Sequence, residues 1–419
     1  MDLLFSDEKG NMLDFPGLLM LGRRGNNLLT PGNNDMIPLP AGASLTLVPG
    51  RLPVGINPDN GNSEALEFDP YEDKKQKIFA VAALLPQGYT RTFLPAWYTP
   101  EKAPSLPLFG YTAVAAENGK IYCAAMKTDE DKNWNPRYFN TPDLAKRVEE
   151  FRRLYPTNRI ISQLGTCALE YACFTAQNIF YRRWEGGIPV SPICNADCMG
   201  CISLQPSECC PSPQERIKFI PSLEEIAEIA IPHLKSRPEN IVSFGQGCEG
   251  EPSLQADVIA EAIKFIRTKV SKGTININTN AGFTEGIKKI ASAGIDHARV
   301  SIISAVEETF QTYYRPKDYT FENVLESLDI LRENKVFTAL NLLTFPGLND
   351  RETELKALIK LINTYEIKQV QYRNLNFDPD ILFKLLPGET SLGIYTMLKR
   401  LKKDCPDTTF GSYTHPVKG

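Results

Sequence analysis

From residue 1 to about 185, short apolar runs alternate with Pro- and Gly-rich breaks, the rhythm of strands joined by turns. Tyr111 to Ala116 and Lys120 to Ala125 flank Asn118-Gly119, a dipeptide that supplies the positive φ angles of a tight hairpin turn. Leu45 to Val48 and Phe79 to Leu85 predict further strands, and only Asp143 to Leu154 and Leu164 to Ile179 carry a helical period. After about Pro189 the pattern becomes strand, helix, strand, helix. Strands are expected at Ile188–Ile193, Ile241–Phe244, Thr274–Thr279, Ala298–Ile303, Val336–Leu343 and Ile367–Tyr372. Between them lie amphipathic segments. One opens at Ser222 with Glu225 three residues on, a capping box for free backbone amides. The next carries Val258, Ile259, Ala262, Ile263 and Ile266 on one face, and another starts at Asp350 and buries Leu355, Leu358, Ile359 and Ile362.

Strands alternating with helices require right-handed crossovers and a parallel sheet. The expected fold is α/β: a partial or complete parallel (β/α)6-type barrel preceded by a mostly β N-terminal module, with an open doubly wound sheet as the alternative. The expected division is 1–185 for the β module with its helical exit, 186–380 for the barrel, and 381–419 for a C-terminal helix and tail. In such barrels the working residues sit just after the strands, so chemically active motifs should fall there.

Charge narrows the field. The formal net charge of −4 offers no basic field for nucleic acid or anionic lipid. Asp2, Asp7, Glu8 and Lys9 interrupt the start where a signal peptide would need an apolar core, and no run approaches the roughly 20 apolar residues of a membrane helix. A cytoplasmic protein without membrane contact is expected. In that reducing compartment the cysteine pattern points to metal rather than disulfides, because Cys194, Cys198, Cys201, Cys209 and Cys210 crowd together out of ten in all.

Cys194-Asn-Ala-Asp-Cys198-Met-Gly-Cys201 follows the expected first barrel strand. Thiolates are the ligands iron–sulfur clusters require, and a short loop can wrap three of them around one corner of a cubane, leaving one iron open. Structural zinc is the other reading; it usually takes four ligands in two pairs, and Cys209-Cys210 would have to complete the set.

The loop resembles the cluster-binding loop of the radical S-adenosylmethionine enzymes, a resemblance that covers about Pro189 to Asp380. It implies that Cys194, Cys198 and Cys201 hold a 4Fe–4S cluster whose open iron binds the amino and carboxylate groups of S-adenosyl-L-methionine. It further implies reductive cleavage to a 5′-deoxyadenosyl radical for hydrogen abstraction, oxygen sensitivity, and a one-electron donor such as ferredoxin or flavodoxin. The aromatic residue common before the third cysteine is replaced by Met199 and Gly200. The substrate, whether a small molecule, a peptide or a nucleoside, is not specified by the resemblance. An iron–sulfur electron-transfer protein or a zinc-stabilised barrel without cofactor cleavage is the alternative function.

Later strands carry corroborating positions. Glu249-Gly250-Glu251-Pro252 follows the second strand and is similar to the family's Gly-Gly-Glu-Pro motif, which implies that Glu251 or its neighbouring backbone holds the methionyl amine; a capped glycine-rich turn is the plainer reading. Asn280 follows the third strand, as a turn former or a cofactor contact. Ser301 matches the family's ribose-contacting serine, and the resemblance implies that its hydroxyl or that of Ser304, three residues on, reaches the sugar. Arg315 points towards the carboxylate or to a surface ion pair, and Arg373 at the sixth strand is a candidate substrate or carboxylate clamp. Cys248 and the histidines at 233, 297 and 415 form no ligand spacing and read as structural.

Overall fold

The computed structural model describes the chain except residues 73, 131, 205–212, 387, 389 and 418–419. The N-terminal module is antiparallel and centres on the strand Asp2–Asp7, which pairs with Met12–Met20, Ile78–Leu84 and Val114–Glu117. The hairpin Val114–Glu117 to Lys120–Cys123 turns on Asn118 and Gly119, with φ of 51° and 70°. Helices Leu144–Leu154, Arg159–Leu169 and Phe174–Tyr181 lead out of the module.

Seven parallel strands then form one curled sheet in sequential order: β1 (Glu185–Gly187), β2 (Ile241–Phe244), β3 (Thr274–Thr279), β4 (His297–Ile302), β5 (Phe337–Thr344), β6 (Gln369–Asn374) and β7 (Thr409–Gly411). The end strands β1 and β7 do not pair with each other, so the sheet is an open part-barrel. Two expectations shift. The first strand is Glu185-Gly-Gly187, and the apolar run 188–193 is instead the extended approach to the cysteine loop. The tail beyond 380 is not an appendage, because it contributes β7 and thereby the last edge of the sheet.

Helices cover the outer face, where Val242, Ile275, Ile277, Ala298, Val300, Leu340 and Val370 join the main core. The helix Leu223–Ser236 begins with the reciprocal bonds of its capping box, Glu225 N–H to Ser222 Oγ at 3.2 Å and Ser222 N–H to Glu225 Oε2 at 2.8 Å. Asp350 starts no helix: Arg351 is the N-cap of Glu352–Thr364, and Asp350 accepts from Gly347 N–H at 2.6 Å. Gly347, with φ of 90°, lets that turn press against Gly25 of the N-terminal module, whose N–H donates to Pro346 O at 3.2 Å.

A buried ionic knot fastens the module to the barrel. Arg51 pairs with Asp378 at 2.9 Å and with Asp380 at 3.2 Å, and Asp380 also accepts from Arg23, Thr99 Oγ1 and Trp97 Nε1. Removing one member leaves buried charge uncompensated. Asp380→Ala is expected to lower stability by about 3 kcal/mol and to open the seam between module and barrel; equilibrium denaturation and limited proteolysis check this, and an unaltered profile refutes it.

His233 Nε2–H donates to Trp184 O at 2.9 Å, and His297 Nδ1 lies 2.6 Å from Asn276 Oδ1. Burial pushes them down to about 4 and about 3, from an ordinary 6.5. Between those values the unfolded chain binds protons that the folded chain refuses, so stability is full above about 6.5 and falls as pH drops towards 4 and then 3. Urea midpoints measured from pH 7 to pH 4 should therefore decline, and more shallowly in His233→Gln.

Candidate cluster-binding site

The loop from Ser191 to Cys201 is suspended between two supports. On one side, Gly250 N–H donates to Ser191 O at 2.7 Å and Glu251 N–H to Ile193 O at 2.9 Å, tying the loop to the turn after β2. On the other, Met199 N–H donates to Tyr313 O at 3.0 Å and Asp197 N–H to Tyr314 O at 3.1 Å, at the end of the helix Glu307–Tyr314 that follows β4. Lys317 N–H returns a bond to Asn195 O at 2.9 Å. The loop thus bridges the mouth of the sheet at the C-terminal ends of its strands, where chemistry in this architecture is placed.

A buried carboxylate organises the first support. Glu249 Oε2 accepts from Val190 and Ser191 N–H at 2.8 and 2.9 Å, and Oε1 from Gly245 and Gln246 N–H at 2.8 and 2.6 Å. Desolvation pushes its carboxyl up to about 8 while the amides pull it back. Since all four donors need an acceptor lone pair, the ionised form suits this geometry. Gly250 is required for a different reason: a Cβ there would stand 1.9 Å from Ile193 O.

Glu251 is 4% exposed and spans β2 to β3. It accepts from Ser253 N–H at 3.0 Å, Asn280 N–H at 2.8 Å and the Thr279 hydroxyl, and burial raises its pKa against these bonds. Pro252 opens the short helix Pro252–Gln255 that Glu251 caps. Asn280 is a turn former and a contact at once: its Oδ1 accepts from Gly282 N–H, and its Nδ2 donates to Asn195 Oδ1 at 2.7 Å inside the cysteine loop.

Cys194, Cys198 and Cys201 are each partly buried. Burial raises the Cys198 thiol well above its ordinary range, and the other two thiols add to the shift; burial likewise raises Cys194, with Glu251 and Cys201 contributing. Cys201 Sγ lies 3.5 Å from Arg216 Nη2 and from Ser203 Oγ. Among the described residues, no three His, Cys, Asp or Glu side chains are drawn in to the spacing of a single ion's ligands. The donors nonetheless suit a soft cluster, being three thiols in mutual electrostatic reach on one loop. The buried hydroxyls of Tyr314 and Tyr319 have no hydrogen-bond partner among the described residues. Burial raises the Tyr319 phenol above its ordinary range, with the charges of Cys198, Glu251 and Cys194 adding to the shift.

The remaining expected positions separate. Ser301 is half-buried on β4, whereas Ser304 leaves the candidate set: its hydroxyl accepts from Val306 N–H at 2.8 Å and donates to Glu354 on the outer helix layer, because the chain has already turned away from the sheet interior. Arg315 is exposed at the left-handed C-cap of its helix, φ 46°. Arg373 is on the inner face of β6. Cys248 is buried with its thiol hydrogen-bonded to that of Cys167, a packing arrangement. Cys209 and Cys210 lie outside the described residues. Sequence reasoning missed the roles of Glu249, Asn195, Arg216 and Tyr319; Glu249, within the motif after β2, and Asn195, lying between the cysteines, carried a positional signal.

Residues 188–359 match the family model described as Radical SAM superfamily, and the domain they form is a radical SAM domain. No curated protein matches the chain. Solved structures similar to it include a methylornithine synthase (PylB) at 15% identity, covering 64% of this chain and 78% of that one with a TM-score of 0.40. Others are the FeFe-hydrogenase maturase HydG from Carboxydothermus hydrogenoformans (16%, 64% and 69%, 0.40) and a radical SAM methyltransferase from Sphaerobacter thermophilus (13%, 55% and 65%, 0.40).

Glu249→Gln places an amide NH2 against two backbone donors, and an unsatisfied buried donor costs roughly 1–3 kcal/mol. This variant is expected to lose that much stability and to bind less iron after reconstitution, checked by denaturation and iron assay; Gly250→Ala should reduce iron uptake further.

Proposed function

We propose that this protein is an enzyme in which Cys194, Cys198 and Cys201 hold a 4Fe–4S cluster that binds S-adenosyl-L-methionine. The observation that supports this reading most is the two-sided suspension of a three-thiol loop across the mouth of a radical SAM domain. When bound, the cluster and its cofactor supply one-electron cleavage of a sulfonium and a 5′-deoxyadenosyl radical that takes a hydrogen atom from substrate. The protein's part is to hold and to shield. Glu249 fixes the entrance to the loop, Asn280 fixes Asn195 within it, and Arg216 sets a cation against Cys201. A positive group beside a thiolate ligand stabilises the more electron-rich state of a cluster.

Glu251 braces β2 against β3 through its carboxylate, so the methionyl amine falls to backbone oxygens of the Gly250–Pro252 turn or to lone pairs that Glu251 retains. Ser301 is left as the ribose contact and the Tyr319 hydroxyl as a further donor. The electron enters from a small one-electron carrier such as ferredoxin or flavodoxin. Among the described residues no helix is long and apolar enough to cross a membrane.

Anaerobically reconstituted protein is expected to bind about four irons per chain, to bleach with dithionite, and to form 5′-deoxyadenosine from S-adenosyl-L-methionine. Replacing any one of the three cysteines with Ala should abolish both iron retention and nucleoside formation. Full iron content and turnover in any of those variants would reject the assignment.

A further inference from the structure

The interior of a parallel barrel is ordinarily packed with branched apolar side chains. Here it is polar, and the charges of its lower part are paired with each other. Glu185 Oε1 accepts from Ser243 Oγ at 2.7 Å and pairs with Arg299 at 3.3 Å. Arg299 Nη1 continues to Gln371 Oε1 at 2.9 Å. The one acid and the one arginine of this layer neutralise each other.

Above them the balance fails. Arg373 occupies the next inward position of β6 after Gln371, facing the mouth. Its guanidinium meets only amide oxygens, Gln87 Oε1 and Gln371 Oε1, both at a long 3.4 Å. It has no carboxylate within salt-bridge distance among the described residues; Arg299 below adds like charge, and Glu185 and Asp129 act on it only from a distance. On the neighbouring strand, Asn341 shares a rung with Ser301 and Gln371, and its Oδ1 is buried without a partner. A part-buried guanidinium without a paired anion among the described residues, beside an unused acceptor, is an incomplete recognition site.

We propose that Arg373 receives an oxyanion of the substrate, a carboxylate or phosphate, and that Asn341 Oδ1 accepts from a hydroxyl or amino group on the same molecule. Arg373 is assigned to the substrate rather than the cofactor because its guanidinium reaches Gln87 of the N-terminal module, although the cysteine loop at Gly200 also packs against Leu375 and Asn376 just after β6. The planar fork of an arginine suits either anion. This assignment of a substrate class rests on the function proposed above.

The test uses the purified full chain. Calorimetric titration with succinate, and separately with inorganic phosphate, is expected to show one-site binding of at least one probe. Arg373→Gln should weaken it by about tenfold or more, while Arg237→Gln, a surface arginine near Glu239, should leave it unchanged. Arg373→Lys, which keeps charge without the fork, should fall between them and carries the test if the Gln variant does not fold. Failure of both probes to bind, or equal binding by the variants, overturns the proposal. S-adenosyl-L-methionine titrated into the reconstituted Gln variant distinguishes the two sources of carboxylate: unchanged affinity supports the substrate, and a matching loss assigns Arg373 to the cofactor and overturns it. The anion titrations need no iron, so a chain that binds phosphate through Arg373 but never assembles a cluster would reject the proposed function alone.

Discussion

Four backbone amides, two from the extended segment leading into the cysteine loop and two from the turn after β2, converge on the carboxylate of Glu249. These are amides that no ladder or helix claims, and in a buried position each would otherwise be left unsatisfied. One side chain therefore does what a length of sheet would do elsewhere: it fixes the spacing between two segments that must remain irregular. The position of Cys194, the close approach of Gly250 to Ile193 and the bracing of β3 by Glu251 all follow from it. A site that has to present three thiols from a non-repetitive loop depends on this kind of local satisfaction, because regular secondary structure would turn the side chains away.

The second support works by the same logic from the opposite wall. The carbonyls of Tyr313 and Tyr314 are at the end of a helix, where no further turn uses them, and the loop's own N–H groups take them up. Arg315 in the left-handed conformation turns the chain back so that Lys317 can bond Asn195. The loop is thus set by the ends of two other elements, and its geometry is coupled to β2 and β4 together. Polar contacts between Asn195 and Asn280 extend that coupling to β3.

Much of the sheet was legible because its outer face must be apolar against helices: the alternation in Thr274-Ile-Asn-Ile-Asn-Thr279 marks both the strand and its two sides. β1 was not, since Glu185-Gly-Gly187 has no apolar residue of its own; a side chain at Gly186 would meet Ile179 at 2.2 Å. The apolar run after it drew the expectation towards the loop, to 188–193, three residues late at its start and six at its end. β7 escaped because three residues of a tail carry no period. At the site, the cysteines announced themselves by spacing. Glu249 did not, because its importance lies in which amides around it lack partners, a property of three-dimensional placement. Ser304 misled for the converse reason: its residue type suited a sugar contact, but the strand ends at Ile302 and the hydroxyl is spent on Val306 and Glu354.

The ionic knot joins residues far apart along the chain, with Arg51 and Asp378 separated by 327 positions. Contacts of such long sequence separation form late and slowly. During synthesis the N-terminal module emerges long before the acidic residues that hold it, and must wait with Arg23 and Arg51 still hydrated. The seam between the module and the part-barrel accordingly cannot close until the chain is nearly finished.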